Sequence, residues 1–145
     1  MLVVDDALLL AVLVGRPTGR ADVAMAAASR GEVFTTGSWY WRLGRAIAQP
    51  GAGSLSRALL AMSHQERHRA ETALGELPAE IGLLSLRRLV PVMRALPGQF
   101  NLLTAEAAAA AVVLGGTIVV GTESPLLARA AATAGMDIEV VSLRP

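Results

Sequence analysis

Along the chain, short apolar runs alternate with longer stretches in which apolar residues return every three or four positions. The first kind has the length of a buried strand; the second has the period of a helix with one face in a core. "LVV" (2–4) reads as a strand, and the "DALLLAVLVG" that follows as a helix capped by Asp5 or Asp6 and stopped by Gly15. "ADVAMAAASRG" (21–31) predicts a helix ending at Gly31, and "EVFTT" (32–36) a second strand. "SWYWRLGRAIAQPG" predicts a third helix, capped by Ser38 and ended by Gln49, Pro50 and Gly51. The loop-like "GAGS" (51–54) leads into "LSRALLAM", and Ser63 with Glu66 forms a capping box for the next helix. "EIGLLSL" (80–86) predicts a third strand, and "RRLVPVMRAL" a helix that Pro91 kinks or delays. After the turn "PGQFN", Thr104 caps "AEAAAAAVVLG" and "TIVVG" (117–121) gives a fourth strand. Ser124 and Pro125 open one more helix, and "MDIEVVSL" is the last strand.

Short apolar strands separated by helices imply a parallel sheet covered on both faces. The expected fold is therefore a three-layer α/β/α domain with a five-stranded parallel sheet, spanning 1–145 without repeats, with a helical insertion at about 51–80. Strands are expected near 2–5, 32–35, 81–85, 117–121 and 138–141, the first of them central and beside the fourth.

Composition narrows the picture. Hydrophobic residues make up 53% but aromatics only 3%, so the interior must be built from Ala, Val and Leu. A net charge of +1 provides no global field to recruit nucleic acid or a membrane surface. All 13 basic residues are arginines. The absence of cysteine excludes disulfides and thiolate metal sites and fits a cytoplasmic location. A signal peptide is not expected, because no positive region precedes the apolar start and Asp5 and Asp6 interrupt it. The longest uncharged apolar run, 107–121, falls short of the ~20 residues a bilayer span needs and is broken by Gly115 and Gly116.

The candidate chemistry lies in the acids. Ligands of open parallel sheets bind beyond the carboxyl ends of the strands. Asp5 and Asp6 end the first strand, Glu123 follows the fourth, and Glu106 lies two residues past Thr104. Converging carboxylates repel one another unless a cation sits among them, and Mg²⁺ or Mn²⁺ suits an all-oxygen set. Taken singly, each acid is equally what a first helical turn favours for capping. Successive strand residues face opposite ways, so one of the adjacent aspartates should face the site, and that one is expected to be Asp5, with Asp6 turned away or capping.

"VVDDALLLAVL" resembles the opening of PIN domains, which start with a strand, an aspartate and a Leu-rich helix. "NLLTAEAAAAAVVLGGTIVVGTESPLLARAAATAGMDIEVV" resembles their C-terminal half, in which an acid-bearing helix precedes a strand ending in another acid. The resemblance covers the two ends of the chain. It implies the fold of a family of Mg²⁺- or Mn²⁺-dependent ribonucleases, often the toxins of bacterial toxin–antitoxin pairs. It also implies that Asp5, Glu106 and Glu123 are the catalytic metal ligands, with Ala107 replacing Glu106 if the match shifts by one residue. RNA, an antitoxin or other protein, and a second copy of the chain are then the partners to test.

Two departures from the family pattern stand out. PIN domains usually carry a glutamate on the helix after the second strand; here no acid lies between Glu32 and Glu66, and Ser38 or a neighbour takes that place. Both later acids are Glu where Asp is usual, which moves each carboxylate by about 1 Å against coordination distances that tolerate a few tenths. Two hypotheses follow: a ribonuclease with a thinned acidic site, or a catalytically silent PIN-like domain that binds a partner protein.

Other signals are weaker. In "SWYWR", Trp39 shares a helical face with Leu43 and Ala46 and reads as core; the aromatics with Arg42 and Arg45, one turn apart, could stack bases and hold phosphates, and Trp41 and Arg45 are open to an interface role. His64 and His68 share a helical face, but Gln, Arg and Glu around them read as a solvated surface rather than a metal site. No Gly-rich phosphate loop and no Ser/His/Asp arrangement is present.

Overall fold

The computed structural model of the chain describes residues 1–15 and 21–141. Its elements are β1 (Leu2–Val4), α1 (Asp6–Val14), α2 (Ala21–Ser29), β2 (Val33–Thr36), α3 (Gly37–Ala48), α4 (Ser54–Leu60), α5 (His64–Gly75), β3 (Ile81–Leu84), α6 (Leu86–Met93), α7 (Leu102–Leu114), β4 (Thr117–Val120), α8 (Pro125–Thr133) and β5 (Ile138–Val140). The strands form one sheet in the order β3-β2-β1-β4-β5, every neighbouring pair parallel. The fold is α/β with helices on both faces, as the alternation of runs implies, and β1 is central beside β4. Ser142 and Leu143, the end of the last predicted strand, lie outside the described residues.

Strand alternation divides the interior in two. Val4 and Val119 face one core, with Leu8, Leu9, Ala24, Ala27 and Ala70 from α1, α2 and α5. Val3, Ile118 and Val120 face the other, with Leu89 of α6, the alanines of α7 and Leu127 of α8. The predicted insertion completes the first layer: Leu59 of α4 and Ala70 of α5 are buried in that core. Helix α7 is apolar all round beyond Glu106, and Ala107–Ala111 are fully buried. Side chains of this size let the sheet, α6 and α8 approach closely around one helix. Helix α3 spans the two layers, placing Leu43 in the first core and Trp39 in the second.

Two caps differ from the sequence reading. Helix α3 starts at Gly37, with Thr36 as its cap accepting from the Trp39 amide. Ser38 is inside the first turn, its hydroxyl already engaged by Glu106. Helix α7 starts at Leu102, capped by Asn101, whose side chain accepts from the Thr104 amide at 2.9 Å. Asn is the stronger cap former, so Thr104 becomes the third helical residue. Helix α6 runs through Pro91 and ends two residues later at Met93. The capping box of Ser63 and Glu66 and the Ser124 cap ahead of Pro125 form as expected.

The β1–β4 junction leaves no room at Gly116. A Cβ there would stand 2.6 Å from the Met1 carbonyl oxygen and 3.1 Å from the Met1 carbonyl carbon, both backbone atoms. The same oxygen accepts from the Thr117 amide at 3.1 Å. Gly116→Ala must therefore push β1 off β4. An overpacking cost of about 2 kcal/mol is expected, read as a lower midpoint in urea unfolding. An unchanged midpoint would show that the strand ends yield freely.

Candidate acidic pocket

The chain leaves β1 toward β2 and leaves β4 toward β5, so the crevice of the sheet opens at the ends of these two adjacent strands. A pocket of about 280 Å³ lies there, lined by Asp5, Asp6, Arg42, Ser54, Glu123 and their neighbours.

Asp5 is the N-cap of α1, and burial leaves it 6% exposed. Its Oδ1 accepts from the Leu8 amide at 2.9 Å and its Oδ2 from the Gly121 amide at 2.8 Å. It thereby caps α1 and ties the end of β1 to the end of β4. Burial pushes its carboxyl up from an ordinary value of 3.8 to about 6, against the opposing pull of those two amides. Asp6 does not turn away. It is the first residue of α1, so strand alternation no longer governs it, and it lines the same pocket. Burial raises its carboxyl as well, and Arg42 partly offsets that shift. The Arg42 Nε lies 3.1 Å from Asp6 Oδ2, an ion pair whose angle leaves that buried oxygen without a directed hydrogen bond.

Glu123 is exposed in the β4–α8 connection and lines this pocket beside Asp5 and Asp6. Glu106 does not. It is 1% exposed, and its Oε1 accepts from the Ser38 amide at 3.3 Å while Oε2 accepts from the Ser38 hydroxyl. It meets the first turn of α3, where a carboxylate balances free amides and the positive end of the helix dipole. A Cβ on residue 37 would lie 3.3 Å from Oε1, so Gly37 permits this approach. The structure thus brings Asp5 and Glu123 to one pocket and places Glu106 in the lining of a neighbouring groove. Among the described residues, no three His, Cys, Asp or Glu side chains are grouped so as to hold a metal ion.

The donor set does not fit a Mg²⁺ or Mn²⁺ shell as it stands. Both oxygens of Asp5 accept from backbone amides, and Asp6 faces a guanidinium. Only Glu123 presents a carboxylate with no partner among the described residues. Sequence reasoning saw in Arg42 a contact for phosphates and missed its pairing with Asp6. Its one visible signal was the lack of any acid on α3, the helix that faces the pocket.

The "SWYWR" stretch divides as expected: Trp39 is buried, whereas Trp41 is 61% exposed with Arg45 5.4 Å above its ring. His64 and His68 line a separate pocket against Ile47, Pro50 and Leu59.

The raised carboxyl of Asp5 has a stability consequence. The folded chain holds this proton to higher pH than the unfolded chain, so the contribution is full below about 3.8 and is lost as pH rises through about 6. Asp6 adds in the same direction. In metal-free buffer the fold should be about 1 kcal/mol more stable at pH 5 than at pH 7. Thermal melts across that range test it, and Asp5→Ala should flatten the slope. A melting temperature that rises with pH in the wild type would refute the assignment.

No protein-family model and no curated protein matches this chain. Among the described residues, no helix is long and apolar enough to cross a membrane.

Proposed function

We propose that this chain is a PIN-like domain, working in the cytoplasm, whose acidic pocket is neutralised by its own arginine and which acts by binding a partner protein. The observation that carries this reading is Arg42 on Asp6, at 3.1 Å, on the helix after the second strand, where PIN domains usually carry a glutamate. The guanidinium takes the electrostatic place of a cation but offers no open coordination position to orient a water or a phosphodiester. The sheet order and the position of Asp5 and Glu123 support the PIN-like part. The partner, of which an antitoxin is one kind, would engage the chain by surface contacts rather than as a substrate.

A second reading, a weak Mg²⁺- or Mn²⁺-dependent ribonuclease, draws support from Asp5 and Glu123 sharing one pocket. Calorimetric titration with Mn²⁺ and incubation of labelled single-stranded RNA with the purified chain separate the two. Neither metal binding nor cleavage is expected. Robust cleavage that EDTA and Asp5→Asn both abolish would overturn the silent-site reading.

A further inference from the structure

Beside the acidic pocket, α3, α6 and the start of α7 enclose an open groove of about 630 Å³. Its walls are carbon: Trp41 from α3, Leu86 from α6, and Leu102 and Leu103 from α7. Trp41 is 61% exposed, Leu102 56% and Leu86 44%. Val90, one turn beyond Leu86, is exposed as well. Large apolar side chains gathered in one concavity mark a binding surface more often than scattered exposure does.

Charge indicates what the groove takes. The segments that build it come from two acid-free stretches, 33–65 and 81–105, which carry six of the arginines. Arg45 on α3 and Arg87 and Arg88 on α6 are exposed. Glu106, the one acid in the lining, is buried on Ser38. Arg42 lines the groove and Arg45 stands 5.4 Å over the Trp41 ring, so the α3 side of this apolar floor is cationic. A second copy using the same face would set arginines against arginines. Single-stranded nucleic acid stacks its bases on successive aromatic rings; here Trp41 is the groove's one ring, with Arg45 over it, and the other large apolar walls, Leu86, Leu102 and Leu103, are aliphatic. Aliphatic walls with a cationic rim fit an amphipathic helix, its apolar residues seated at i, i+3 and i+7 and its acids along the edges.

We infer that this groove docks an acidic amphipathic helix of a partner protein, with Trp41 and Leu102 gripping its apolar face and the rim arginines meeting its carboxylates. The inference rests on the interaction-module reading and names the chemistry of the partner.

The test uses fluorescence anisotropy with a labelled helical peptide of about 18 residues, long enough to hold a helix. It carries Leu at helical spacing and Glu on the flanks. A counterpart has Lys for every Glu, and a third probe is a labelled oligouridylate. The Glu peptide should bind in the micromolar range and weaken with salt. Trp41→Ala and Leu102→Asp, both at exposed positions, should each weaken it about thirtyfold, the size expected of an anchor residue. Arg45→Glu should weaken it further than Arg45→Ala does. Failure of the Glu peptide to bind, equal binding of the Lys peptide, or an unchanged affinity in Trp41→Ala would overturn the inference. Preferential binding of the oligouridylate would overturn it too, as would a dimer in light scattering that Leu102→Asp dissociates. RNA cleavage in Mn²⁺ would remove the silent-site reading without moving peptide affinity, so the two can fail separately.

Discussion

Arg42→Glu should give the chain a Mn²⁺ affinity at least about a hundredfold above that of the wild type. The substitution removes one positive charge from the pocket and adds a negative one on the helix that otherwise carries no acid. It also releases Asp6 Oδ2, which is buried and has no directed hydrogen bond besides the Arg42 ion pair. A change of two unit charges at about 5 Å alters the energy of a bound divalent cation by on the order of 10 kcal/mol at an effective dielectric of ~20. The Arg42 side chain is 52% exposed, so water screens much of that, and about 3 kcal/mol remains, or roughly a hundredfold. Asp6, the carboxylate introduced on α3 and Glu123 would then supply oxygen donors around one cavity, the donor type such ions take. Arg42→Ala should fall between the two. Isothermal titration calorimetry with Mn²⁺ on the three proteins decides the matter, with circular dichroism to confirm the fold. If Arg42→Glu binds no better than wild type, Arg42 is not what keeps a cation out.

The fold was legible because its signals are local and repeated. Strand 2–4 and strand 117–120 are short apolar runs bounded by caps and glycines, and such runs alternating with helices leave few topologies open. Helix starts were less legible where two good cap residues stood close together. Thr36 competes with Ser38, and Asn101 with Thr104; the outcome depends on which side chain another element recruits. Ser38 loses its role as a cap because Glu106, 68 residues away, needs its amide and hydroxyl. That contact is long-range, and no periodicity encodes it.

The site was half legible for the same reason. Asp5 and Glu123 follow directly from the ends of β1 and β4, so strand register places them together. Asp6 takes the Ala7 amide of the first turn, as a capping acid does, yet it does not turn away: a single residue separates strand from helix, and helical geometry returns its side chain to the pocket. The role of Arg42 depends on the angle at which α3 crosses α1, which the sequence does not display. An arginine one turn from another on an acid-free helix reads as a contact for phosphates until its acidic neighbour is known.

Glu106 offers the sharpest separation of a ligand from a structural carboxylate. Glu106→Ala should destabilise the fold by about 3 kcal/mol. The loss leaves the Ser38 amide and hydroxyl unpartnered in a half-buried place, at about 1–3 kcal/mol for each buried group left unpaired. It also opens space where the side chain is 1% exposed. Glu106→Gln should recover part of the stability, because its carbonyl oxygen can still accept from Ser38, although the amide no longer balances the positive end of α3. Ser38→Ala should cost less than Glu106→Ala, and the double variant should cost less than the sum of the two, since each removes the other's partner. Urea unfolding measures all four. The second readout is metal. In the Arg42→Glu background, Glu106→Gln should leave Mn²⁺ affinity unchanged, because the Glu106 carboxylate faces the first turn of α3 and not the pocket of Asp5 and Glu123. A marked fall in that affinity, with stability retained, would make Glu106 a metal ligand and return it to the site its sequence position first assigned.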